Sequence, residues 1–274
     1  MHRVYRPFER GTSGDTCFNG RVQDGIVRVR YGGHCQQFGE WTLPDRQAAA
    51  GADVRGVAVI FHGGFWRDRY DLSLGRPLAA DLAQRGWAAW NVEYRRSGSG
   101  GGWPQTFEDA GAAVDVLADL PGGIPLDTVV TIGHSAGGLL AVWAALRRQP
   151  RVPVSAAISQ AGVLDINGAV RDGLGGGAAQ QFFGAALPEA LDPVACPATV
   201  PVFCVHAPDD NDVPIAQSRA YVAAAAAAER PARLVEVGGG HYGHLDPRGP
   251  AWSRTVAILD DVATGGTHCP VRQD

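Results

Sequence analysis

Thr128-Val129-Val130-Thr131-Ile132 is a β-branched run that passes through Gly133-His134-Ser135-Ala136-Gly137 into Ala136 to Arg148, a stretch whose alanines and leucines suit a helix. A strand that turns into a helix so abruptly belongs to a layered α/β architecture, and the same alternation recurs along the chain. Val57 to Phe61 reads as a buried strand ending in His62-Gly63-Gly64, Leu74 to Arg85 as a helix, and Trp87 to Tyr94 as the next strand. Thr106 to Leu120 reads as a helix with Asp109 and Asp115 on its polar side. Val154 to Ser159, Val200 to Val205 and Arg233 to Val237 supply further strands. Pro214 to Glu229, with alanine filler at 223–228, and Ala251 to Val262 supply further helices. Gly25 to Tyr31 and Gln37 to Leu43 predict an opening antiparallel pair. Strands separated by crossover helices require a mostly parallel, twisted sheet of about eight strands with helices on both faces.

One large domain accommodates this order, since 274 residues with 45% apolar and 19% charged side chains suffice for a single core. Residues 22–264 are expected to form it, with a peripheral segment at 1–21 and a tail at 265–274. The pattern weakens over 163–198, where glycines at 173 and 175–177 precede Phe182 and Phe183, so this stretch is expected to be a lid-like excursion. The glycine-rich Ser97–Gly102 segment reads as a mobile rim loop. No internal repeat is visible. The first residues lack the apolar stretch of a signal peptide, and no run is long enough to span a membrane, so a cytoplasmic location is expected. Cys17, Cys35, Cys196, Cys204 and Cys269 are odd in number and scattered, which predicts reduced thiols. His34-Cys35 and His268-Cys269 lack the partners a metal site needs, so no metal is expected.

The chain contains no lysine; its 24 basic residues are all arginines, against 28 acidic ones, for a net charge of −4. That excludes Schiff-base and pyridoxal-phosphate chemistry, a G-K-[ST] phosphate loop and a kinase strand lysine. The mild acidity argues against a nucleic-acid partner. Gly173-Leu174-Gly175-Gly176-Gly177-Ala178, with Asp192 downstream, imitates a dinucleotide fingerprint, but no strand precedes it. No cofactor is therefore expected.

Gly133-His134-Ser135-Ala136-Gly137 is a G-x-S-x-G in the strand-to-helix context that pattern needs. Ser135 on so sharp a turn takes a strained backbone, and only glycines on either side let strand and helix approach. It is the candidate nucleophile. His62-Gly63-Gly64-Phe65-Trp66, at the end of an earlier strand, stands where an oxyanion loop would be. The N–H groups of Phe65 and Ala136 are the expected donors, with Gly64 a third candidate and His62 a brace. Trp66, Tyr70, Trp103, Phe182 and Phe183 are candidates for an apolar substrate wall.

A nucleophilic serine needs a base oriented by a carboxylate, in the chain order Ser, Asp, His for this architecture. With no lysine, and arginine permanently protonated, the base has to be histidine. Asp209, Asp210 and Asp212 share one loop after the Val200–Val205 strand. The acid usually stands four residues before the proline of a Val-Pro pair, which selects Asp210; Asp212 is then expected to cap the following helix. In the loop after Arg233–Val237, His241 follows three glycines directly and is preferred over His244. Arg67, Arg69, Arg95 and Arg96 are candidates for an acidic substrate group or for surface pairing, with solvated surface expected for most.

His62 to Trp66, Gly133 to Gly138, Asp210 to Pro214 and His241-Tyr242 together resemble an α/β-hydrolase of the esterase/lipase group, over residues 22–264. Within it the sequence resembles the H-G-G-x-W branch that includes kynurenine formamidase. That branch often carries Ala-His after the elbow, where this chain has Gly138-Leu139. The resemblance implies an α/β-hydrolase fold and a serine esterase working through an acyl-enzyme on small or medium, possibly aromatic, substrates, with arylformamide or amide cleavage as the alternative. A non-catalytic ligand-binding protein of the same fold is a second alternative. A peptidase would normally need an added domain to select peptides.

Overall fold

The computed structural model describes residues 22–23, 26–44, 54–184 and 191–266. The expected segment 1–21, residues 267–274 of the expected tail, Cys17 and the His268-Cys269 pair lie outside the described residues. The strands are β1 (Val22–Gln23), β2 (Ile26–Arg30), β3 (Phe38–Thr42), β4 (Val57–Phe61), β5 (Ala88–Val92), β6 (Val129–His134), β7 (Ala156–Gln160), β8 (Val202–His206) and β9 (Ala232–Glu236). The helices are α1 (Arg76–Gln84), α2 (Gln105–Asp115), α3 (Ala136–Leu146), α4 (Ile166–Arg171), α5 (Leu174–Phe183), α6 (Ala216–Ala227) and α7 (Pro250–Ala263). The strands form a single sheet in the order β1-β2-β3-β5-β4-β6-β7-β8-β9. Pairing is antiparallel from β1 to β5 and parallel from β5 through β4 to β9. This is the α/β-hydrolase architecture expected from the sequence, with the two-residue β1 added at the edge.

Every residue of β4, β5, β6 and β7 is buried, as continuous apolar runs require when helices cover both faces. The pleat divides β4 between two cores. Val57, Val59 and Phe61 pack with Phe107 and Val114 of α2 and Leu139 and Leu140 of α3, whereas Ala58 and Ile60 pack with Leu78 and Leu82 of α1 and Trp252 and Leu259 of α7. Because the central strands run parallel, their carboxyl ends share one edge, and the loops after β4, β6, β8 and β9 meet there.

Two expectations change. Asp109 is not on a polar face: it is fully buried, where it receives Arg95 at 2.6 Å and the Gln37 amide at 2.6 Å. The loop after β5 folds an arginine over it. Ser97–Gly102 is pinned rather than free, through Ser97 N–H to the Trp66 carbonyl at 2.9 Å and Ser99 Oγ to Gln36 Oε1 at 2.7 Å. In the excursion, Gly173, Gly175, Gly176 and Gly177 all have positive φ and kink the start of α5. Asp192 is buried there and accepts the N–H groups of Ile166, Asn167 and Val194, a staple across α4 rather than a ribose ligand.

Candidate active site

Ser135 stands between β6 and α3 with φ 54° and ψ −120°, a left-handed conformation that L-residues adopt only under constraint. The constraint is visible on both sides. A Cβ at Gly133 would collide with the Gly137 carbonyl, and one at Gly137 with the Phe61 carbonyl of β4. Ser135 N–H donates to the Gln160 carbonyl at 2.8 Å, tying the turn to the end of β7. The departure at Gly138 also has a cause: a Cβ there would lie 2.7 Å from both Gly162 Cα and Ser159 Oγ, so the start of α3 packs backbone to backbone against the β7 turn.

The loop after β4 carries a second strained pair, Phe65 and Trp66, with φ 49° and 55°. Phe65 N–H has no acceptor among the described residues, and Ala136, as the first residue of α3, has no carbonyl one turn back to receive its own N–H. Both N–H groups are thus left free to donate. His62 braces the loop, with Nδ1 2.8 Å from the Gly63 carbonyl and Nε2 3.1 Å from the Glu93 carboxylate, its ring stacked on Tyr94.

Asp210 and His241 are brought together, with Oδ2 2.7 Å from Nδ1, and both are buried. Asp210 Oδ1 accepts the N–H groups of Asp212 and Val213. Burial by itself would raise the Asp210 pKa, but hydrogen bonds from His206, His241 and the Val213 N–H outweigh it and hold the carboxyl below its usual range. Asp212 does not cap α6: Ile215 occupies the N-cap and no side chain bonds there. Ser135 Oγ has no hydrogen-bond partner among the described residues. The elbow and the loop that carries His241 are joined instead through His134, whose Nε2–H donates to the His241 carbonyl at 2.9 Å.

The sequence pattern of the prolyl oligopeptidase family matches residues 80–257, more than half of the chain and all of the elements that carry Ser135, Asp210 and His241. The chain belongs to the prolyl oligopeptidase family. No curated protein matches it. Among solved structures, this prolyl oligopeptidase family member is similar to a truncated carbohydrate esterase from gut microbiota, at 18% identity and a TM-score of 0.71 over 90% of this chain and 100% of the other. It is also similar to esterase 2 of Thermogutta terrifontis, at 24% identity and a TM-score of 0.68 over 91% and 96% of the two chains. Esterase B of Lactobacillus Rhamnosis follows at 18% identity and a TM-score of 0.74 over 91% and 88%.

The expected substrate wall divides in this family member. Trp66, Phe182 and Phe183 are buried, with Trp66 stacked on Phe182 at 4.5 Å and edge-on to Phe183, so these rings form core between the loop after β4 and α5. Phe65 packs on Gly175, Tyr70 packs on Gly64, and Trp103 is half-buried against Phe107. Tyr242, beside His241, is 62% exposed at the same edge, and was not among the residues expected to form the wall. Of the four arginines, Arg95 pairs with Asp109 and buried Arg96 with Glu93, while Arg67 donates to the Gly175 carbonyl; only Arg69 is exposed, over the Tyr70 ring. His244 is fully buried, with no partner for either ring nitrogen among the described residues. His206 was also missed; its Nε2 lies 3.4 Å from Asp210 Oδ2, and its position at the end of β8, four residues before Asp210, is the signal that marks it.

Proposed function

We propose that this protein is a serine hydrolase that cleaves carboxylic esters of small or medium acyl compounds through an acyl-enzyme. The observation that carries the reading is the meeting, at one sheet edge, of a strained serine, two unengaged backbone N–H groups and an Asp–His pair at 2.7 Å. In this reading Ser135 Oγ turns toward His241 Nε2, gives up its proton and attacks the ester carbonyl carbon. The N–H groups of Phe65 and Ala136 take the oxyanion, helped by the positive end of α3. His241 returns the proton to the leaving alcohol, then activates a water that hydrolyses the acyl-enzyme and frees Ser135. Asp210 holds the Nδ1–H tautomer and balances the imidazolium.

The similar structures include esterases, and the ester reading is consistent with them. A fluorophosphonate labels wild type and fails to label Ser135→Ala under this reading; equal labelling of both removes it. Turnover of p-nitrophenyl esters of increasing acyl length, beside formyl and acetyl anilides and a prolyl anilide, ranks the substrate classes. Higher kcat/KM on formyl anilides moves the assignment to the formamidase branch, and higher kcat/KM on the prolyl anilide moves it to peptidase.

A further inference from the structure

We propose that His134 is a positioning residue that sets the approach of His241 to Ser135. The inference rests on the reading of Ser135 as nucleophile and His241 as base. The base loop begins Gly238-Gly239-Gly240, with φ of 112° and 60° at the last two, so the stretch leading into His241 has no side chains of its own to fix where His241 points. Gly240 N–H bonds Asp209 Oδ1 at 3.3 Å, and two hydrogen bonds act on His241 itself. Asp210 holds the ring at Nδ1, and His134 holds the backbone through its 2.9 Å bond to the His241 carbonyl. The second is the one hydrogen bond, among the described residues, between the Gly133–Gly138 elbow and the base loop.

His134 is suited to this duty by its place in the chain. It directly precedes Ser135, so the nucleophile's turn and the anchor of the base move as one unit. Its ring is buried, 4.6 Å from the His241 ring, and its Nδ1 faces Gly63, where a Cβ would lie 2.8 Å away; the second residue of the His62-Gly63-Gly64 turn is thus small because this ring occupies the space. Donation to a carbonyl fixes the Nε2–H tautomer. Burial first, then the neighbouring His241 and His244, push the His134 pKa down to about 3, with the His241 carbonyl bond and Asp210 acting weakly the other way. His134 therefore adds no charge beside the imidazolium that forms on His241 in each cycle.

The test compares His134→Gln, whose amide N–H reaches the same carbonyl, with His134→Asn, which is too short, and His134→Leu, which has no donor. Thermal unfolding is followed alongside kcat and KM on a p-nitrophenyl ester. Since a misplacement near 1 Å costs about 10²-fold in rate, Asn and Leu are expected to lose roughly 30- to 100-fold in kcat at unchanged KM, with Gln recovering most of the loss. If His134→Leu fails to fold, His134→Asn decides by the same criterion. The proposal is overturned if Asn or Leu keeps kcat within about twofold of wild type, or if Gln falls as far as they do. A wild type that is inert, or a Ser135→Ala that is fully active, overturns the underlying reading instead.

Discussion

Oδ2 of Asp210 faces Nδ1 of His241 at 2.7 Å while Oδ1 of the same carboxylate is held by the Asp212 and Val213 N–H groups at 2.9 and 2.8 Å. The acid cannot rotate away without abandoning two backbone donors, and His206 Nε2 closes the remaining side at 3.4 Å. Asp212, by contrast, enters this arrangement only through its backbone; its carboxylate is exposed. Asp210→Asn is therefore expected to lower kcat by about 10³- to 10⁴-fold by favouring the wrong imidazole tautomer. Asp212→Asn should stay within about threefold of wild type. Steady-state ester hydrolysis checks both, and a comparable loss from Asp212→Asn would sink the assignment.

Ser135 holds its positive φ only because the strand, the helix and β7 over-determine the turn. Strain of this kind costs about 1–3 kcal/mol, and glycine relieves it where alanine does not. Both Ser135→Gly and Ser135→Ala should lose about 10⁴-fold or more in turnover. Urea unfolding separates them: Ser135→Gly should be the more stable of the two by roughly 1–2 kcal/mol, less the entropy glycine adds to the unfolded chain. Equal midpoints would mean that the turn is not strained.

The fold was readable because period and composition coincide: Val57 to Phe61 is continuously apolar and ends up buried on both faces, and the glycines at 133 and 137 announce the elbow. Asp210 and His241 could be singled out because chain order and loop position restrict the candidates, and the structure pairs their side chains at 2.7 Å. What could not be read depends on contacts between distant segments. Asp109 looked solvated until Arg95 folded over it, and Trp66, Phe182 and Phe183 looked like a substrate wall until their rings packed on each other. Asp212 looked like a cap, yet α6 starts at Ala216, beyond its reach. The bond from His134 to His241 spans 107 positions, and a local motif carries no trace of it.

Gly138 separates this chain from the formamidase-like pattern at the elbow, and packing gives it a role independent of substrate. Its α-carbon faces Gly162 Cα and Ser159 Oγ, and a methyl group would sit 2.7 Å from each. The Gly162 side is backbone and cannot rotate out of the way. Gly138→Ala should therefore destabilise the protein by about 1–3 kcal/mol through overpacking. Because Gly138 N–H also bonds the Ser135 carbonyl at 2.9 Å, a shift of α3 would disturb the elbow, so activity should fall with stability. The double variant Gly138→Ala with Ser159→Ala removes one of the two clashes and should restore part of the loss; denaturant midpoints measure it.

His244 gives the molecule an acid sensitivity with a defined sign. It is fully buried with both ring nitrogens unpartnered among the described residues, and burial first, then the nearby His206 and His241, lower its pKa to about 4, with Asp210 opposing. An unfolded chain takes up this proton near pH 6.5, the folded one only near 4. Between those values the unfolded state binds more protons, so stability is complete above about pH 6.5, falls as the pH drops, and levels off near 4. His134, lowered to about 3, acts in the same direction and extends the window downward. In His244→Leu one of these protons is removed, and the loss of stability between pH 7 and pH 5 should shrink by on the order of 1–2 kcal/mol. Urea unfolding of both proteins at the two pH values measures the difference. Parallel curves would mean that His244 is protonated, or reached by solvent, in the folded state.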